Sequence, residues 1–229
     1  MIGIIGAMDI EVDGIKSEMQ ETEIKNIAGL DFVKGNLGGV ETVVARCNPG
    51  KVNAAACAQI MALEYNPELI INPGVAGGIG EGVKIGDLIV GESCIQYDMD
   101  TSALGDPVGF ISGLGVIEFP CAKETAAKIK AEAEKIYDGQ VMDGIIVTGD
   151  KFVSDGEVCL KLKEQFGAKA CEMESGAIAH VCYMNNIPFV ALRSISDNAN
   201  DDASVDYPTF AKAAAAKTVE LINAVIDKI

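Results

Sequence analysis

The chain has two arginines, Arg46 and Arg193, one histidine, His180, and no tryptophan in 229 residues. Sites that grip phosphate by two parallel hydrogen bonds rely on arginine, so this chain is poorly equipped for them. Its 18 basic residues stand against 34 acidic ones, a formal charge of −16. Nucleic-acid binding needs clustered lysine and arginine to release counterions, and that class is excluded. A histidine triad, a zinc site or a histidine shuttle would rest on His180 alone, so His180 is assigned a structural or supporting role. Whatever chemistry the chain performs is expected to be carboxylate chemistry.

Other absences narrow the reading further. The seven cysteines at 47, 57, 94, 121, 159, 171 and 182 form no C-x-x-C pair, and an odd number in apolar stretches reads as reduced, buried thiols. Gly3 and Gly6 have the spacing of half a dinucleotide fingerprint, but G-x-G-x-x-G occurs nowhere. Gly50-Lys51 lacks the earlier glycine of a phosphate-binding P-loop. No apolar run approaches a membrane span, and the first residues lack a basic region, so they read as a buried strand rather than a signal peptide. The expectation is a soluble, cytoplasmic protein without cofactor or metal.

Hydrophobic residues make up 49% of the chain, enough for one large core, and residues 1–229 read as a single α/β domain. A buried strand at 2–7 leads into a helix opened by Asp9. Short runs between 23 and 47, separated by glycines, carry hairpin signals, so the sheet is mixed. An alanine-rich helix follows over 51–65, then a short strand, 69–72, feeding a glycine-dense segment, 73–80, read as a ligand-contacting loop. A strand at 87–96 precedes a stretch, 97–119, with no convincing element; its length and its apolar Leu104, Phe110, Ile111 and Leu114 suggest an interface. Helices at 121–137, 155–166 and 208–228 and a strand at 144–148 complete the pattern.

Residues 171–197 concentrate the chemistry. One apolar strand ends on Glu172, Met173 and Glu174; a small-residue helix follows; a second apolar strand runs through Arg193 to Ser196 and Asp197. This places three carboxylates and one of the two arginines at the ends of two strands taken as neighbours, where α/β sheets bind ligands.

Six segments in order carry a resemblance that spans the chain: residues 2–11, 50–55, 74–78, 149–153, 172–181 and 193–197. Together they resemble the 5′-methylthioadenosine/S-adenosylhomocysteine nucleosidases of the nucleoside phosphorylase-like superfamily. The resemblance implies a three-layer α/β/α fold around a central mixed, twisted sheet, and hydrolysis of an N-glycosidic bond to adenine and a thioribose, 5′-deoxyadenosine being a further substrate. It implies that Asp197, beside Ser196, protonates the leaving adenine, and that Glu174 holds the ribose hydroxyls. Glu11 would activate water with Arg193 helping to place it. Glu172, Met173 and Cys171 would contact the ribose and its surroundings, Phe152 would stack on adenine and the Val153 backbone would read its edge. Met8, Val75 and Tyr207 would line the sugar, the water and the 5′ end. It further implies a homodimer whose 97–119 loop lies near the neighbouring active site.

The chain departs from the family pattern at Pro49, at Val75, where relatives carry serine, and at Leu104 and Asp106, where they carry an aromatic pair. Those at Pro49, Leu104 and Asp106 bear on the 5′ substituent, and Val75 bears on one contact to the water. Three rivals stand beside the nucleosidase reading: a purine nucleoside phosphorylase on the same fold, a nucleosidase for another 5′-substituted adenosine such as 6-amino-6-deoxyfutalosine, and a nucleoside-binding protein without activity.

Overall fold

The computed structural model describes residues 1–199 and 203–229. Its elements, in order, are β1 (Ile2–Gly6), α1 (Asp9–Glu18), β2 (Gln20–Ile27), β3 (Leu30–Leu37), β4 (Val40–Arg46), α2 (Lys51–Tyr65), β5 (Leu69–Gly78), β6 (Leu88–Gln96) and β7 (Glu118–Pro120). They continue with α3 (Lys123–Ile136), β8 (Val141–Thr148), α4 (Gly156–Phe166), β9 (Ala168–Glu172), α5 (Ser175–Asn185), β10 (Phe189–Asp197) and α6 (Ala203–Val225).

Strand periodicity sorts the core into two layers. On β1, Ile2 and Ile4 face one side and Ile5 the other; on β4, Val44 opposes Val43 and Ala45. The first side is covered by α1, α3 and α6, through residues such as Val12, Ile15, Ile129 and Leu221. The second is covered by α2 and α5, through Cys57, Met61, Ile178 and Cys182. The sheet between them is mixed, as the hairpins β2–β3 and β3–β4 require. This is the expected layered α/β fold.

One end of the sheet closes on itself. β5 pairs with β10, β10 with β6, β6 with β8, β8 with β9, and β9 returns to β5. β9 and β10 are therefore not paired to each other, contrary to the sequence reading; each flanks β5. The return contact is short, Gly77 with Cys171 and Gly78 with Ala170. Beyond it the C-terminal ends of β1, β9 and β10 face one another.

The glycine-dense segment is also not a loop. Pro73–Gly78 continues β5, fully buried between β10 and β9. Its glycines answer to crowding: a Cβ on Gly74 would stand 2.7 Å from Glu11 Oε1, and one on Gly77 would stand 2.7 Å from the Ala199 Cβ. Local glycine content signals a loop, but here tertiary contact requires it within a strand. The 97–119 stretch contains one 3₁₀ turn, Ser102–Leu104, and the three-residue β7. β8 begins three residues earlier than expected, and α6 runs through Pro208, before which the sequence reading placed no helix.

Ile4 sits at the centre of β1 with no exposure. Ile4→Ala is expected to lower unfolding free energy by about 2–5 kcal/mol, the range for a buried aliphatic truncation; urea titration of the two chains measures it, and a loss below about 1 kcal/mol would contradict the assigned core.

Candidate active site

A buried ion pair underlies the site. Arg193, on β10, is 2% exposed and donates from Nη2 to Glu172 Oε2 at 2.6 Å and from Nε at 3.2 Å. Its Nη1 donates to the Asn72 carbonyl at 2.7 Å and the Leu192 carbonyl at 2.9 Å, and Nη2 also reaches the Asn72 side chain. Glu172 in turn accepts from the Ser175 amide and hydroxyl, the Glu174 amide and the Thr148 hydroxyl. Burial alone would raise the Glu172 carboxyl, but the Arg193 charge and these donors outweigh it and hold it below the ordinary carboxylate range.

Three further carboxylates stand around this pair, each shifted the other way. Glu11, in the first turn of α1, accepts from the Ala7 amide at 2.7 Å, the Met8 amide at 3.0 Å and the Val75 amide at 3.2 Å. It does what an acid at a helix N-terminus does, yet it also faces the cleft. Burial raises it, opposed by Arg193 and the three amides. Glu174, the residue before α5, accepts from the Gly50 amide at 2.8 Å; burial and the neighbouring Glu172 charge push it up to about 8. Asp197 accepts from the Ser196 hydroxyl and the Ala199 amide, each at 2.9 Å, and burial raises it as well. One carboxyl held low by Arg193 beside three raised by burial is an arrangement for proton transfer.

These groups open onto a cleft of about 520 Å³ lined by Ala7, Met8, Glu11, Pro49, Val75, Ala76, Gly77, Phe152, Cys171, Glu172, Met173, Glu174, Ser196, Asp197 and Tyr207. Eleven of the thirteen residues singled out in the sequence lie on its wall. The two that do not are Arg193, which lies beneath the wall, and Val153, which is buried behind Phe152. Phe152 and Tyr207 meet edge to face with centroids 5.5 Å apart, and the Tyr207 hydroxyl lies 3.0 Å from Met8 Sδ. No lysine or arginine lines the cleft among the described residues; Arg46 is spent outside it, on Asp9 at 2.7 Å. His180 stands away from the cleft, its ring stacked on Phe119 at 4.8 Å and its Nδ1 3.0 Å from Gln96 Nε2.

Sequence reasoning missed Thr148, Ser175 and the Gly50 amide, which donate to Glu172 and Glu174, and Asn72, which accepts from Arg193. Asn72 was findable, being a polar residue at the end of the apolar run Leu69–Ile71. The Gly50 amide leaves no trace in sequence beyond its glycine.

The matching family model, over residues 1–228, is the phosphorylase superfamily, and the chain belongs to it. The 5′-methylthioadenosine/S-adenosylhomocysteine nucleosidase of Shewanella piezotolerans is 38% identical over 229 residues, covering 100% of this chain and 99% of that one. The Neisseria meningitidis nucleosidase of the same name, solved with methylthio-immucillin-A, superposes with a TM-score of 0.95 at 30% identity, covering 100% and 99% of the two chains. A futalosine hydrolase of Helicobacter pylori gives 0.94 at 32% identity, covering 100% and 97%. Within the superfamily the chain falls among the 5′-methylthioadenosine/S-adenosylhomocysteine nucleosidases.

Two stability measurements test the electrostatics. Glu172→Gln leaves the Arg193 charge buried without its counter-ion and is expected to cost about 3–5 kcal/mol; a loss under about 1 kcal/mol would show the pair to be dispensable. Glu174 carries the opposite sign. In the folded chain it keeps its proton to about 8, against an ordinary value of 4.5, so its ionisation weighs against folding as pH rises through that window. Glu174→Gln should match the parent in melting temperature below the ordinary value of 4.5, exceed it increasingly as pH rises from there to about 8, and hold a constant margin above that. A difference that does not vary with pH would contradict the assignment.

Proposed function

We propose that the chain hydrolyses the N-glycosidic bond of 5′-methylthioadenosine and S-adenosylhomocysteine, releasing adenine and the thioribose. The observation that carries this reading is the make-up of the cleft wall: four carboxylates and, among the described residues, no lysine or arginine. As adenine departs, positive charge develops on the ribosyl ring, and carboxylates aimed at it stabilise that charge. Among the described residues the wall offers inorganic phosphate no lysine or arginine, so water is the co-substrate it suits and the phosphorylase reading is disfavoured.

The residues divide the work. Asp197, lifted by burial and fixed by Ser196 and Ala199, delivers the proton to N7 of the leaving base. Glu174 accepts from the ribose 2′- and 3′-hydroxyls and lies beside the developing cation. Glu11, its oxygens fixed by three backbone amides, takes the proton of the attacking water. Arg193 acts on that water only through its field on Glu11, because its own hydrogen bonds go to Glu172, Asn72 and Leu192. Glu172 likewise serves by holding Arg193 and the start of α5, since its oxygens are already bonded. Phe152 offers a face to adenine, Val153 supports it, and Met8, Pro49, Val75 and Tyr207 form an apolar end for the 5′ substituent, with Cys171, Met173 and Ser196 completing the wall. Val75 gives the water no hydroxyl and contributes its amide to Glu11 instead.

The likeness to the futalosine hydrolase keeps a second substrate in view: 6-amino-6-deoxyfutalosine presents the same adenine–ribose bond with a different 5′ group. Turnover across a panel of 5′-substituted adenosines separates the two. All seven cysteines are free and buried, which suits the reducing cytoplasm. A homodimer is favoured by the exposed apolar side chains of Val52 on α2, Tyr183 and Met184 on α5, and Leu104 in the 97–119 stretch.

Asp197→Asn should lower the turnover number by about 10²–10⁴-fold, the worth of a general acid, while adenine nucleoside affinity stays within a few-fold; unchanged turnover would remove Asp197 from the mechanism. Light scattering should give twice the chain mass, and a fully active monomer would reject the dimer.

A further inference from the structure

Three chain segments meet beside the cleft in one polar knot. The first turn of α2 brings Lys51, the exit of β6 brings Asp98 and the exit of β8 brings Asp150. Asp98 accepts from Lys51 Nζ at 2.6 Å through Oδ1 and from the Asp150 amide at 3.0 Å through Oδ2. Asp150 completes the circuit, accepting from the Lys51 amide at 2.8 Å. The Lys51 and Asp98 side chains are only 18% and 31% exposed, so the pair is better shielded than an ordinary surface bridge.

None of the three side chains lines the cleft, but Lys51 is two residues from Pro49 and Asp150 two residues from Phe152, both on its wall; Asp98 ties the two together. Gly50, adjacent to Lys51, gives its amide to Glu174. It does so at φ +99°, and a Cβ there would stand 3.2 Å from Asp150 Oδ1, so only glycine permits this approach without strain. Phe152 lies two residues past Asp150 and is 43% exposed, with little packing of its own to hold it. Gly149, before Asp150, lies against Tyr97, where a Cβ would be 2.4 Å from the ring.

We propose that Asp98 is a positioning residue for the cleft: by holding Lys51 and the Asp150 amide together, it fixes the Gly50 amide on Glu174 and sets the loop that carries Phe152. The inference rests on the nucleosidase reading for its kinetic consequences, but the contact itself is structural and is measured separately. Glu174 also faces Glu172, Arg193 and Glu11; those charges stay in place when Asp98 is changed, so a shift in its titration reports the Gly50 amide.

The test compares Asp98→Ala and Lys51→Met with the parent by amide hydrogen exchange and by adenine release from methylthioadenosine across pH. Asp143→Ala, which breaks the remote Lys130–Asp143 pair, serves as control. Exchange should quicken in both variants within 49–53 and 149–153 and stay unchanged in β1 and β10, where the control shows no change anywhere. kcat/KM should fall at least tenfold, with the acid limb of its pH profile moved upward because Glu174 has lost a donor. Local exchange at the parental rate, or kcat/KM within twofold of the parent with an unmoved limb, would overturn the proposal. Should Asp98→Ala exchange globally through unfolding, Lys51→Met, which keeps the side-chain stem, decides on the same criteria. A parent that releases no adenine while the variants still loosen at 49–53 would fail the nucleosidase reading and leave the positioning role standing.

Discussion

The site depends on one charge that cannot leave. Arg193 is buried, and a guanidinium in that position must be neutralised within hydrogen-bond distance. Among the described residues Glu172 is the only carboxylate bonded to it, and that bond fixes the end of β9 against the middle of β10, across β5. The chain then turns at Glu174 into α5, with the Ser175 amide and hydroxyl closing on the same Glu172 carboxylate. So the pair sets the direction in which Glu174 leaves the sheet, and β10 carries Asp197 into the cleft from the other side. Remove that neutralisation and the geometry of all three acids changes together.

The pair also divides the carboxylates into two kinds. Glu172 takes the arginine's charge and stays ionised; Glu11, Glu174 and Asp197 share the same dry surroundings without a full partner and are raised. A cleft that must both give and accept protons needs groups whose ionisation costs are small enough to reverse. The fold supplies this by burial and backbone amides, with neither histidine nor metal in the residues assigned to the work.

Much of this was legible in the sequence. Alternation and glycine punctuation located the hairpins and the main helices, and the scarcity of arginine already argued against phosphate. The clustering of Glu172, Glu174, Arg193 and Asp197 could be seen because strand ends and a helix start lie close in sequence. What could not be seen was partnership. The family resemblance gave Arg193 a part in placing the water, but its bonds to Asn72 and Glu172 beneath the wall have no local signature. The segment 73–80 read as a loop because glycine spacing does not distinguish conformational freedom from crowding by Glu11 and Ala199. The closing of β9 onto β5 depends on two residue pairs far apart in sequence and leaves no local pattern. Glu11 comes from the other end of the chain and became visible only through the family resemblance.

The central claim is that this wall of carboxylates delivers water, not phosphate, to the ribosyl cation. Reaction of methylthioadenosine in heavy-oxygen water, with and without inorganic phosphate, tests it most directly. Free thioribose should carry the heavy oxygen on its anomeric carbon, at a rate that phosphate does not change. Cleavage that requires phosphate and yields an unlabelled sugar 1-phosphate would contradict it.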